Sequence, residues 1–115
     1  MPAPPPIPAI NAAFYAELQE AAGAEFAAEL VGTFFEEAPL MLADLRSALA
    51  DRNGERFRRA AHSLKSNSHT FGATRLAELA RELELGGLLS DASPLDVLDT
   101  EYARAAAALQ ELARG

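Results

Sequence analysis

Ala60-Ala61-His62-Ser63-Leu64-Lys65-Ser66-Asn67-Ser68-His69-Thr70-Phe71-Gly72 is the stretch on which the reading of this chain turns. Its spacing predicts a helix that begins near Gly54 and ends near Gly72. With residues placed at about 100° intervals and His62 set to zero, Glu55, Arg58, Arg59, Lys65, Ser66 and His69 fall within about 60° of it. Phe57, Ala60, Leu64 and Phe71 collect on the opposite side, with Asn67 and Ser68 among them. One face is therefore apolar and built for burial. The other carries a histidine ringed by cations.

The neighbouring segments supply the partners for that apolar face. Asn11 is placed to cap a short helix reaching about Ala22, with Ile10 and Tyr15 at the spacing of a hydrophobic staple and Gly23 as its stop. A long helix follows over Ala24 to Ala50, with Ala27, Leu30, Phe34, Ala38, Met41, Leu45 and Leu49 as one stripe. Pro39 lies inside it, pointing away from the stripe, and predicts a kink or two abutting helices. Asp51-Arg52-Asn53-Gly54 reads as a turn, with Asn53 capping the His62 helix.

The next helix runs from about Ala73 to Leu85, burying Leu76, Leu79, Ala80 and Leu83, and stops at Gly86-Gly87. Ser93-Pro94-Leu95-Asp96 then reads as a cap, a proline at the first helical position and an acid two residues on. The helix it starts carries Leu95, Leu98, Tyr102, Ala106 and Leu109 and ends near Arg114. No segment alternates with period two, so no sheet is expected. The fold class is all-α: an antiparallel up-and-down four-helix bundle over residues 10–115, with a short additional N-terminal helix across one end. Residues 1–9, rich in proline, form an extended tail.

Composition narrows the function. The chain has 115 residues, no cysteine and a formal net charge of -7. That size suits one domain. Missing cysteine excludes disulfides and thiolate metal sites. No apolar run spans a bilayer and the N-terminus has no secretory signal, so a cytoplasmic location is expected. The negative balance argues against nucleic acid. Its distribution is uneven: Arg52, Arg56, Arg58, Arg59, Lys65, Arg75 and Arg81 cluster around His62, while acids dominate before and after, Glu82 and Glu84 among them. Such a patch suits an anionic partner; a solvated face of mixed charge has the same composition.

A neutral imidazole has a free ring lone pair and is a competent nucleophile toward phosphorus. Exposure, nearby cations and small neighbours favour phosphoryl acceptance, and His62, Lys65, Arg58, Arg59 and Ser66 offer these. No Gly-rich phosphate loop or Mg²⁺-binding carboxylate cluster is evident, so the chain is not read as taking phosphate from ATP by itself. His62 and His69 are two helical turns apart, about 10 Å of rise, too far to share one metal ion. An isolated helical histidine is in most proteins an ordinary surface residue.

The wider pattern separates these readings. His62-Ser63-Leu64-Lys65-Ser66-Asn67-Ser68, followed by Gly72, resembles the H-x-L-K-G-x-S-x-x-x-G motif of histidine phosphotransfer (HPt) domains of bacterial phosphorelays. Phe34-Phe35-Glu36-Glu37-Ala38-Pro39, then Leu42 and Leu45, before it and Leu76-Ala77-Glu78-Leu79-Ala80 with Leu83-Glu84 after it resemble that family's flanking helices. The resemblance implies that His62 is the phosphoacceptor and that Lys65 neutralises the phosphoryl oxygens. It implies a receiver domain of a response regulator, or a hybrid sensor kinase, as partner, with Mg²⁺ supplied by the receiver and no cofactor on this chain. Arg58, Arg59, Ser66 and His69 are expected on the partner-binding face, with Pro39 and Gly72 structural. Ser66 departs from the family's usual glycine, which points to altered partner preference. A monomer is expected, since His62 must stay accessible. The competing reading is a bundle that docks receivers, or serves only as structure, without phosphotransfer.

Overall fold

The structure, a computed structural model, describes residues 9–114 and contains five helices and no strand among them. They are α1 (Ala12–Ala22), α2 (Ala24–Ala50), α3 (Gly54–Thr70), α4 (Thr74–Gly86) and α5 (Ser93–Arg114). The proline run at positions 2–8 lies outside the described residues. Ala9, the last residue assigned to the tail, is buried beside Ile10.

The caps explain most of the boundaries. Asn11 Oδ1 accepts the Ala13 N–H at 3.0 Å, and Ile10 and Tyr15 are both buried. Asn53 Oδ1 accepts the Arg56 N–H at 3.1 Å and starts α3. Gly23, Gly72 and Gly87 all have positive φ at helix ends. Helix α5 differs from the sequence reading. Ser93 is already helical: the Ala92 carbonyl accepts the first helical N–H groups, from Leu95 and Asp96, and Asp91 Oδ1 accepts the Ser93 N–H at 2.7 Å. Bonds from the Ser93 side chain and then its backbone hold the Asp91 carboxyl below its ordinary pKa, because they favour the charged form.

Helix α2 is a single element of 27 residues that passes through Pro39 without dividing. Proline removes one donor from the ladder. Phe34 and Ala38 before it and Leu45 and Ala48 after it are fully packed, so tertiary contact holds both halves in one helix while the ring sits exposed at the surface. The stripe also sits slightly off the sequence reading: Val31 and Ala48 are buried, whereas Leu30, Met41 and Leu49 are only half-buried. A similar displacement occurs on α5, where Glu101 and Ala105 are buried in place of Tyr102 and Ala106. Glu101 is tolerated there because Arg104 donates to its carboxylate at 2.8 Å.

Helices α2 and α3, α3 and α4, and α4 and α5 pack pairwise, and α5 packs back against α2. Phe34 links this ring internally, its centroid lying 5.0 Å from that of Phe71 and 5.8 Å from that of Tyr102. Arg46 of α2 pairs with Asp96 and Asp99 of α5 at the surface. Helix α1 packs on α2, and the Asn11 N–H donates to the Gly72 carbonyl at 2.7 Å. The first helix is thereby seated on the turn that ends α3.

Candidate functional site

Helix α3 buries Phe57, Ala60, Ala61, Leu64 and Ser68, which fixes its rotation and turns His62 outward. The buried Ser68 hydroxyl donates to the Leu64 carbonyl at 2.6 Å, and Asn67 Nδ2 donates to the Ser63 carbonyl at 2.8 Å. Both polar residues on the inward side are satisfied within the helix. The His62 side chain is 58% exposed.

The position of the ring is set from the neighbouring helix. Glu84 of α4 places Oε2 2.8 Å and Oε1 3.2 Å from His62 Nδ1. Oε1 also accepts from Lys65 Nζ at 3.1 Å. A carboxylate is an acceptor only, so Nδ1 carries the hydrogen and the lone pair is left on Nε2, across an exposed ring. The Glu84 side chain is 13% exposed and that of Lys65 is 22% exposed. Donation from His62, then from Lys65, holds the Glu84 carboxyl below its ordinary value of 4.5 despite partial burial.

His62 and Lys65 are thus brought together through Glu84, which the sequence reading placed among the acids after the motif and, with Leu83, in the helix that follows it, without giving it a role at the site. A positional signal was also available. His62 and Glu84 are nearly equidistant from Gly72, so two helices folding back at that glycine set them side by side. Arg58, Arg59, Ser66 and His69 share the exposed face, and none of them hydrogen-bonds His62 among the described residues. Arg59 makes only a loose 3.9 Å pair with Glu55. On the side away from Glu84, Leu40 and Met41 of α2 and Arg59, Ala60 and Ser63 of α3 line an open groove of about 700 Å³. Leu40 is 69% exposed there.

Gly72 is required twice over. Its φ of +72° suits the left-handed residue of a Schellman stop, in which the Gly72 N–H donates to the His69 carbonyl and the Ala73 N–H to that of Ser68. A Cβ at this position would also lie 2.8 Å from the Asn11 carbonyl oxygen and from Phe14 Cβ.

Among the described residues no cluster of three or more His, Cys, Asp or Glu is placed to hold a metal ion, and no helix is long and apolar enough to cross a membrane. The family model for the Hpt domain matches residues 29–108, and the chain belongs to that family. Hpt domains carry phosphoryl groups on histidine in phosphorelays and interact there with receiver domains and kinases. Neither a search of curated proteins nor one of solved structures found a match.

Proposed function

We propose that this chain accepts a phosphoryl group on His62 Nε2 from the phospho-aspartate of a receiver domain, or from a sensor kinase, and passes it to a response regulator. The observation that carries the reading is the pairing of His62 Nδ1 with Glu84 on an otherwise exposed ring. It directs the remaining lone pair toward an incoming donor and fixes the ring at the moment of attack.

In the step, the Nε2 lone pair attacks phosphorus as the bond to the aspartyl oxygen breaks, and that electron pair leaves on the receiver's carboxylate. No proton needs to move, because the Nδ1 hydrogen stays on Glu84. The positive charge acquired by the phosphorylated ring lies beside the Glu84 carboxylate, which lowers the energy of the intermediate. Delivery to the next receiver is the same step reversed. The Mg²⁺ ion that neutralises the travelling group is supplied by the receiver's own carboxylate pocket.

Arg58 and Arg59 draw that acidic pocket toward His62, and the groove beside Leu40 and Met41 offers the apolar contact. The long helices serve as a stand, an antiparallel up-and-down bundle, supported by the closed packing order of α2, α3, α4 and α5 and by their short connections. We take the working form to be a cytoplasmic monomer, whose histidine is open to either partner.

The test is a phosphotransfer assay with a phosphorylated receiver and Mg²⁺, following acid-labile, base-stable label on wild type and His62→Gln. Label on wild type alone is expected. Label persisting on His62→Gln would move the acceptor to His69, and no label from several receivers would leave a docking module as the better account.

A further inference from the structure

Lys65 is the sole lysine of the chain; the other nine of its ten Lys and Arg residues are arginine. The protein thus uses the one flexible, single-point cation at the position one turn from His62. The two types differ physically. Arginine offers a planar fork that grips a carboxylate at two points, whereas an ammonium on four methylenes holds by one and reorients readily.

In the free protein Lys65 is engaged. Its Nζ lies 3.1 Å from Glu84 Oε1, and the same carboxylate binds His62 at Nδ1. A phosphoryl group on Nε2 lies on the other side of the ring. The four-methylene stem of Lys65 lets its ammonium turn from the carboxylate at Nδ1 toward phosphoryl oxygens at Nε2. Electrostatics favour that move once the group has arrived. The phosphoryl group brings close to two negative charges against one on Glu84. Glu84, 13% exposed, is not stranded by the departure, because the phosphorylated ring with its retained Nδ1 hydrogen is itself a cation.

We propose that Lys65 exchanges partners during each transfer, resting on Glu84 while His62 is free and moving to the phosphoryl oxygens when Nε2 is phosphorylated. Glu84 is the positioning residue for both states: it holds the ring throughout and holds the lysine only between transfers. The inference rests on His62 being the acceptor.

A chain with one lysine makes this measurable. The full chain grown with [¹⁵N]lysine gives a single side-chain ammonium signal, which is followed as His62 is charged with phosphoramidate. That donor loses ammonia as its P–N bond breaks, so no receiver is needed. The signal is expected to shift on charging. In Glu84→Gln the resting signal is expected to differ from wild type while the charged signals of the two proteins approach each other. Lys65→Arg, which keeps the charge but grips Glu84 with two donors, is expected to charge about tenfold more slowly than wild type, as Lys65→Ala does, through loss of one charge-assisted hydrogen bond to the phosphoryl group.

An unmoved ammonium signal in protein that carries the phosphoryl group overturns the exchange alone, as does a Lys65→Arg chain that charges at the wild-type rate. The ³¹P spectrum and intact mass of the same samples separate this from a wrong acceptor. Absence of an N-phosphoryl signal, or its persistence in His62→Gln, removes the proposed function and the exchange together.

Discussion

Glu84 illustrates how one side chain can set the chemistry of another without touching the substrate. Its carboxylate selects which imidazole nitrogen has the hydrogen and so which one has the lone pair. The same contacts set its pH behaviour. The folded carboxyl titrates below its ordinary 4.5, chiefly through His62 and secondarily through Lys65. Between the two values the unfolded chain binds more protons, so stability rises with pH there. The contribution is complete above 4.5 and is lost as the pH falls through the depressed value. A carboxyl ¹³C titration of Glu84 should therefore give a midpoint under 4.5 in wild type and one closer to it in Lys65→Ala. A midpoint at or above that figure in wild type would mean that Glu84 does not hold His62 and Lys65 as described.

At the scale of the helices, stop signals matter as much as stripes. Gly72→Ala should destabilise the fold by about 3 kcal/mol, combining the strain of a left-handed alanine with overpacking against α1. Urea unfolding measures it, and a loss below about 1 kcal/mol would mean that α1 moves aside freely. Helix number, order and approximate ends were legible in the sequence because caps are local: Asn11, Asn53, Gly23 and Gly87 act on neighbours within a turn. Burial was less so. A wheel drawn from composition centres on the largest apolar residues, whereas the packed axis on α2 runs through Val31 and Ala48. Arg52 is a related case. It takes φ +55° at the end of α2, where a glycine would be expected, and its guanidinium donates to the Leu89 carbonyl at 2.8 Å across the α4–α5 connection. Nothing near Arg52 in sequence announces that distant acceptor. The candidate site divides in the same way: His62 and Lys65 lie within one motif, while Glu84 reaches them only through the packing of α3 on α4.

For the whole molecule, a net charge of -7 coexists with two exposed arginines, Arg58 and Arg59, on the face of α3 that carries His62, while Arg52, Arg56 and Arg75 are engaged elsewhere. Under the proposed function, an acidic receiver pocket meets an acidic protein whose net charge repels it while Arg58 and Arg59 attract it locally, so charge would orient the encounter as well as speed it. Arg58→Glu with Arg59→Glu should slow receiver association about tenfold at low salt, with the gap closing toward 1 M salt, where the Debye length is about 3 Å. Stopped-flow association at several salt concentrations tests this. A salt-independent defect would assign the two arginines to direct contact.

The seat of α1 on Gly72 has a consequence for how sequence change is tolerated. The family match begins at residue 29, after α1 has ended. The helical stop at Gly72 belongs to the matched region, whereas the steric limit from Asn11 and Phe14 comes from a segment outside it. The glycine thus answers to two constraints of separate origin. Substitutions in α1 and at Gly72 should then be non-additive: once α1 no longer presses on the turn, a second change there removes only the backbone share of its usual penalty. Variation in the first helix would in this way set how freely the end of the histidine helix can drift.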